Sequence, residues 1–139
     1  MMRFAIEKIT TFTLAYMRRI GEYGPVNISL MEDLKKWANE CDLMGQDSIL
    51  LSIPHDNPWI TVPEECRYDV GIVFDKEITR DFEKDDFVFL STYEPGFYAV
   101  LTISHTIEVI EYAWANVFEE LMKAGLDIDM NKSAYERYW

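Results

Sequence analysis

Few residues of this chain combine the types and the spacing that catalysis requires. His55 and Asp56 are sequence neighbours, which is not the spacing of a catalytic pair, and the second histidine is His105. The chain has no glycine-rich phosphate loop, no His-Glu-x-x-His and no Gly-x-Ser-x-Gly. Cys41 and Cys66 lack metal-type spacing and are interpreted as reduced, buried thiols. We therefore expect structural or loop roles for both histidines, no metal site and no cofactor.

One carboxylate stands in an aromatic segment near the end of the chain, Tyr135-Glu136-Arg137-Tyr138. In a strand, Glu136 faces away from both Tyr135 and Arg137. Taken by itself, this pattern favours a surface glutamate paired with a lysine or arginine.

Aromatic residues are abundant, with 4 Trp, 8 Tyr and 8 Phe, and each candidate wall of a cavity has a packing alternative. Trp59 follows Asn57-Pro58 and is either a lid or a ring folded onto the sheet. Trp114 lies in an apolar helical stripe, so it belongs to the core or is shared with a cavity. Tyr23 closes one end of a groove or caps a helix. Tyr68 and Tyr138 each follow an arginine and serve a cavity or packing.

The elements that must position these residues form a repeated pattern. Residues 12–43 and 95–126 each read as a strand-like run, a polar turn, a helix with one apolar stripe and a terminal leucine. The pattern predicts one domain over residues 1–139, with two halves at about 1–76 and 86–139 joined by the charged segment 75–86. Clefts at such junctions are common ligand sites.

The individual elements follow from periodicity and turn residues. Ser29 and Glu32 form a capping-box pattern, so the first helix is expected to start near Ser29. The second helix is expected from about Ile107 to Lys123, ending before Gly125. The predicted strands are 4–19, 48–53, 68–74, a hairpin of 87–92 with 97–103, and 135–139. The final strand of the second half is missing, so a natural chain that continues past Trp139 is expected.

Charge and hydropathy restrict the classes of partner. The net charge is −12 and the pI is about 4.5, so a phosphate backbone repels the chain and direct nucleic-acid binding is disfavoured. No run approaches the roughly 20 apolar residues of a membrane span, and no signal peptide is recognised at the N-terminus. The sequence predicts a cytoplasmic protein without a membrane partner.

Five segments resemble those of a known family. They are YMRRIGEYGPV, LKKWANECDL, IPHDNPWITVPEECRYDVGIVF, GFYAVLTISHT and YERY. On these segments the chain resembles the GyrI-like small-molecule-binding superfamily, which includes gyrase-inhibitory proteins and the effector-binding domains of AraC- and MerR-type regulators. The opening of the second half departs from the family, because Ile103-Ser104-His105-Thr106 replaces the usual His-x-Gly.

The resemblance implies an α+β fold of two strand–helix–strand–strand units (an SHS2 dimodule). Their strands form an antiparallel sheet with both helices on one face and a groove between the halves. It also implies that Glu136 lies in this groove and binds cationic or amphipathic aromatic compounds, with Trp59, Trp114, Tyr23, Tyr68 and Tyr138 as candidate walls. The function expected on this basis is a stand-alone sensor or a drug-sequestering domain.

Two alternatives stay open at this point. Some members of the superfamily hydrolyse cyclopropane-bearing, DNA-alkylating natural products, and Glu136 would then act as general base with a tyrosine polarising the leaving group. The third interpretation is a gyrase-inhibitory protein, in which the acidic domain binds a basic protein partner such as a gyrase subunit.

Overall fold

The fold is of the α+β class, as expected from the sequence. The computed structural model describes residues 3–45, 48–74, 87–93, 95–104, 106–129 and 134–138. Within these ranges the chain forms two α-helices and two antiparallel sheets. The predicted connector 75–86 and His105 lie outside the described residues.

The larger sheet has five strands in the order β5-β2-β4-β3-β7, and every neighbouring pair is antiparallel. Its strands are β2 (Phe12–Ile20), β3 (Leu50–Pro54), β4 (Arg67–Phe74), β5 (Phe89–Tyr93) and β7 (Glu136–Tyr138). Central strand β4 is the predicted run 68–74 extended by one residue. Its near-continuous apolar sequence fits a strand that is covered on both faces.

Helix α1 (Val26–Glu40) covers one face of this sheet. Leu34, Trp37 and Ala38 of the helix are buried against the strands. The strand residues that complete this core are Ala15, Met17, Leu50, Val70 and Ile72, joined by Val88. Trp37 is therefore a core residue of this unit.

The predicted start of α1 near Ser29 is wrong. The helix begins at Val26, and Pro25 occupies the position before it, with φ −56° and ψ −26°. Proline fixes φ in the helical range, so Gly24-Pro25 can start the helix without a capping side chain. Backbone hydrogen bonds from Asn27 to Gly24 (2.9 Å) and from Ile28 to Pro25 (3.1 Å) form this first turn.

The smaller sheet pairs β1 (Ala5–Ile9) with β6 (Gly96–Val100). Helix α2 (Ile107–Lys123) follows β6, with the bounds that its periodicity predicts. The Thr106 side chain accepts a hydrogen bond from the amide of Val109 at 3.3 Å and caps the helix. Gly125 follows the helix with φ +78°, a left-handed conformation that suits glycine.

Two predictions about the strands are wrong, one about strand bounds and one about strand pairing. The run 4–19 is not one strand, because Thr10 and Thr11 separate β1 from β2. The segments 87–92 and 97–103 do not form a hairpin, because β5 pairs with β2 and β6 pairs with β1. Alternation along a strand shows which residues share a face but not which strand is the neighbour.

The chain divides into two compact units, and both are discontinuous in sequence. One contains Met1–Thr10 and Pro95–Lys132, and the other contains Thr11–Glu94 and Ser133–Trp139. The predicted halves, 1–76 and 86–139, follow chain order and stay a prediction. No helix of the described residues is long and apolar enough to cross a membrane.

Candidate functional site

Glu136 lies on edge strand β7, on the face of the sheet that α1 covers. Strand β7 pairs with β3, and this register places Glu136 opposite Ser52 and Tyr138 opposite Leu50. Because Glu136 and Tyr138 are two residues apart, their side chains share one face. Leu50 and Tyr138 pack with the core beneath α1, which identifies that face.

Two hydroxyl groups bind the Glu136 carboxylate. The Ser52 hydroxyl donates a hydrogen bond to Oε2 at 3.1 Å, and the Tyr138 hydroxyl donates to the same oxygen at 2.5 Å. Burial raises the pKa of Tyr138 well above its usual range, and the hydrogen bond to Glu136 raises it further. Tyr138 therefore remains a neutral donor at physiological pH.

Tyr68 extends this group of side chains along β4. Burial raises the pKa of its hydroxyl, and the neighbouring Ser52 hydroxyl acts to lower it. We call Ser52, Tyr68, Glu136 and Tyr138 the Glu136 cluster. The cluster combines one carboxylate, three hydroxyls and two half-buried rings on neighbouring strands.

Tyr23 continues the aromatic surface from the turn before α1. Its ring meets the Tyr68 ring edge to face, with 5.7 Å between centroids. Its hydroxyl donates to the carbonyl oxygen of Arg67 at 2.6 Å and accepts from the amide of Asp56 at 3.1 Å. Burial raises the pKa of Tyr23. These contacts place Tyr23 between the loop that starts at His55 and the Glu136 cluster.

The structure thus brings together four of the six residues that were candidates for ligand binding: Tyr23, Tyr68, Glu136 and Tyr138. Trp59 lies in the loop before β4, and its side chain is 91% exposed. Trp114 belongs to the other unit, on α2, where its ring lies 6.3 Å from that of Phe118. The ligand-binding role of all six residues stays a prediction.

Ser52 is a residue of the cluster that sequence reasoning missed. It is fully buried within a strand of apolar residues, Leu50, Leu51 and Ile53. A buried hydroxyl needs a hydrogen-bond partner, so a serine in an otherwise apolar strand is a usable signal of a polar contact. The identity of that partner depends on the pairing of β3 with β7, 84 residues apart.

A second charged group lies on the opposite face of the sheet and also escaped prediction. Asp69 of β4 is 1% exposed, and Arg18 of β2 binds it with both Nε to Oδ1 (2.7 Å) and Nη2 to Oδ2 (2.9 Å). His55 Nε2 lies 2.6 Å from Oδ2. Burial acts to raise the pKa of Asp69, but the hydrogen bonds from Arg18 and His55 outweigh it and hold that pKa below its usual value.

The Asp69 group is a structural ion-pair network. The partner of His55 is thus Asp69 rather than its neighbour Asp56, whose carboxylate is bound by Arg67. No serine, threonine or cysteine hydroxyl or thiol contacts the His55 ring among the described residues. No cluster of three or more histidine, cysteine, aspartate or glutamate side chains that could hold a metal ion occurs there either.

A separate open cleft of about 400 Å³ lies between α1 and β2. Its lining residues are Met17, Arg18, Leu30, Asp33, Lys36, Trp37, Glu40 and Phe87. The Arg18 side chain is bound to Asp69 on the face opposite α1, and no residue of the Glu136 cluster lines the cleft. The cleft and the Glu136 cluster are therefore separate features of this unit.

Comparison with known proteins relates almost the whole chain to one domain family and to one relative of known sequence. The sequence profile of the GyrI-like small molecule binding domain matches residues 2–139. The "SPbeta prophage-derived putative transcriptional regulator YosT" of Bacillus subtilis (strain 168) is 38% identical over 138 residues, which cover 99% of this chain and 89% of that protein.

Two solved structures share the fold. The crystal structure of the EcmrR C-terminal domain superposes with a TM-score of 0.76 at 9% identity, covering 99% of this chain and 84% of that chain. The cryo-EM structure of the EcmrR–DNA complex in EcmrR-RPo gives a TM-score of 0.72 at 11% identity and 98% coverage of this chain. This chain spans about half, 49%, of the chain in that complex.

Proposed function

Because the chain belongs to the GyrI-like small molecule binding domain family, we propose that it is a ligand-sensing domain for amphipathic aromatic cations. The ligand binds at the Glu136 cluster, with its positive charge at the carboxylate and its apolar body against the tyrosine rings. The similarity to a B. subtilis protein named as a regulator supports a role in sensing for transcriptional control.

The observation that carries this proposal is the environment of the Glu136 carboxylate. Ser52 and Tyr138 hold one of its oxygens by neutral hydroxyl donors, which orient the group without cancelling its charge. Tyr68 and Tyr138 are both half-buried beside it. A carboxylate that is oriented before the ligand arrives costs little reorganisation on binding.

The chemistry of the cluster favours a cation with an aromatic body over other small molecules. The faces of tyrosine rings attract positive charge, by roughly 0.5–2 kcal/mol per good contact. The carboxylate strengthens this attraction where water is partly excluded. An anionic ligand would be repelled by Glu136, and a neutral one would gain only the apolar contacts.

The test compares two dyes of almost the same shape that differ in charge. N-methylacridinium carries a fixed positive charge, and acridine is neutral at pH 8. We expect Glu136→Gln to weaken the binding of N-methylacridinium by about 1–3 kcal/mol, because the cation loses a charge-assisted contact. The binding of neutral acridine should stay almost unchanged. Isothermal titration calorimetry measures both affinities, and thermal melting checks that the variant is folded.

The matched control is Glu32→Gln, because Glu32 is an exposed carboxylate on α1 of the same unit. It removes the same charge without touching the cluster. Equal N-methylacridinium affinity in Glu136→Gln and the wild-type protein would contradict the assignment of the anchor. A loss of equal size in Glu32→Gln would show that net charge alone attracts the dye.

A further inference from the structure

The loop before β4 exposes three large apolar side chains at its tip. Trp59 is 91% exposed, Ile60 83% and Val62 55%. We call these three residues the Trp59 tip. Single exposed apolar residues are common, but a tryptophan beside two aliphatic residues on one loop is the kind of surface that proteins use to bind partners.

Hydrogen bonds within the loop hold the Trp59 tip in place. The Asn57 side chain accepts from the amide of Trp59 at 2.9 Å, and the Asn57 carbonyl accepts from the amide of Thr61 at 2.9 Å. Pro58 and Pro63 restrict the backbone on either side. A loop that is already ordered loses little conformational entropy when it binds.

The base of the loop is clamped to β4. The Asp56 carboxylate accepts hydrogen bonds from the backbone amide of Arg67 at 2.7 Å and from its Nε and Nη2, each at 3.0 Å. The Arg67 guanidinium holds the pKa of Asp56 below its usual value. Arg67 is thereby occupied and does not offset other acidic residues of the loop.

Two carboxylates border the Trp59 tip. Glu64 and Glu65 lie in the single turn of 3-10 helix Pro63–Glu65, which directly follows Val62, and both are exposed. Neither forms an ion pair within the described part of the chain. An apolar tip with an uncompensated acidic border is complementary to an apolar surface with a basic border.

The net negative charge of the chain favours some binding partners of the Trp59 tip over others. A second copy would bring together two molecules of net charge −12, and an anionic membrane surface would repel both the chain and the two glutamates. A basic protein surface is attracted by the same charges. The tip is also small, which suits a hot-spot contact made by one tryptophan.

We propose that the Trp59 tip is a docking surface for a basic amphipathic helix of a partner protein. Trp59 packs against the apolar stripe of that helix, with Ile60 and Val62 beside it. Glu64 and Glu65 pair with the lysine or arginine side chains that flank the stripe. This contact is independent of the ligand at the Glu136 cluster.

The probe for this proposal is a synthetic amphipathic helix of leucine and lysine, compared with a peptide in which glutamate replaces lysine. We expect the lysine peptide to bind, and Trp59→Ser to weaken it at least about 10-fold. The double variant Glu64→Gln with Glu65→Gln should weaken peptide binding a few-fold and reduce its salt dependence. Fluorescence anisotropy of a labelled peptide measures each affinity.

Phe97→Ser is the matched control, because Phe97 is 75% exposed on β6 of the other unit. It should leave peptide affinity unchanged. Equal losses of peptide affinity in Phe97→Ser and Trp59→Ser would mean that the peptide binds exposed apolar residues without specificity, and this result would overturn the proposal. Binding of the glutamate peptide with the same affinity as the lysine peptide would also overturn the proposal. Self-association that depends on Trp59, measured by sedimentation equilibrium, would overturn it in favour of a second copy. Binding to phosphatidylglycerol vesicles that depends on Trp59 would overturn it in favour of a membrane surface.

Discussion

The carboxylates of Asp69 and Glu136 differ in their burial and in their hydrogen-bond partners, and we propose different roles for them. Asp69 is 1% exposed and is bound by Arg18 and His55, so its charge is already balanced inside the protein. Glu136 is half-buried, and its oxygen Oε2 is bound by hydroxyls. The first arrangement stabilises two strands and a loop, whereas the second orients a carboxylate by neutral hydroxyl donors.

Asp69→Asn tests the structural role of Asp69. We expect a loss of about 1–3 kcal/mol in the free energy of unfolding at pH 7, because Arg18 and His55 lose a buried partner. The one-third exposure of Arg18 moderates this loss, since water still reaches the guanidinium. Urea denaturation of both proteins gives the difference.

The same pair of proteins should show a specific pH dependence. The folded-state pKa of Asp69 is lower than its unfolded value, so its stabilisation is present above the unfolded pKa and is lost as the pH falls through the folded one. The difference in the free energy of unfolding between the wild-type protein and Asp69→Asn should therefore become smaller below about pH 4. A gap of constant size from pH 7 to below that value would contradict the assignment.

At the scale of elements, close packing around Gly71 fixes the position of β4 between β2 and β3. An added Cβ at Gly71 would lie 2.7 Å from Leu14 Cγ and Cδ1 and 2.8 Å from the carbonyl oxygen of Ala15. Leu14 is fully buried on the face opposite α1. The glycine in the apolar run YDVGIVF is thus explained by space, which lets β2 and its leucine approach β4.

Gly71→Ala is expected to lower the free energy of unfolding by about 1–3 kcal/mol, because the new methyl group overpacks a region where a backbone oxygen cannot move aside cheaply. Gly24→Ala is the control, since no atom lies within 4 Å of a Cβ placed there. Thermal and urea melts of both variants measure the effect. A Gly71→Ala protein as stable as Gly24→Ala would contradict this account of the packing.

At the scale of the whole molecule, the net charge of −12 acts on every partner. It attracts cations, repels phosphate backbones and favours basic protein surfaces. Both proposed contacts use this field, the ligand site through Glu136 and the Trp59 tip through Glu64 and Glu65. Long-range attraction of this kind is screened by salt, whereas apolar contacts are not.

The affinities of the two acridine dyes should therefore differ in their dependence on salt concentration. We expect the dissociation constant of N-methylacridinium to rise several-fold between about 20 mM and about 500 mM NaCl, while that of acridine at pH 8 changes little. Calorimetric titrations at both salt concentrations provide the comparison. Equal salt dependence of the two dyes would show that the charge of the protein has no part in ligand binding.

Elements whose signals are local could be predicted from the amino-acid sequence. The bounds of α2 follow from its apolar stripe, the cap at Thr106 and the stop at Gly125, all within one stretch of chain. The α+β class and the family follow from such elements and from the five family-like segments. Tyr23, Tyr68, Glu136 and Tyr138 were also chosen from the sequence, through their motifs and the family resemblance.

Contacts between residues that are distant in the sequence could not be predicted and follow from the folded chain. The pairing of β5 with β2 rather than β6, the contact of Ser52 with Glu136 and the binding of Asp69 by Arg18 join residues that are far apart in the chain. In the folded chain, Trp59 is exposed on the loop before β4, and Trp114 belongs to the other unit. The physical reason is that side-chain periodicity shows which face a residue occupies, while strand register and partner choice depend on the packing of all strands together.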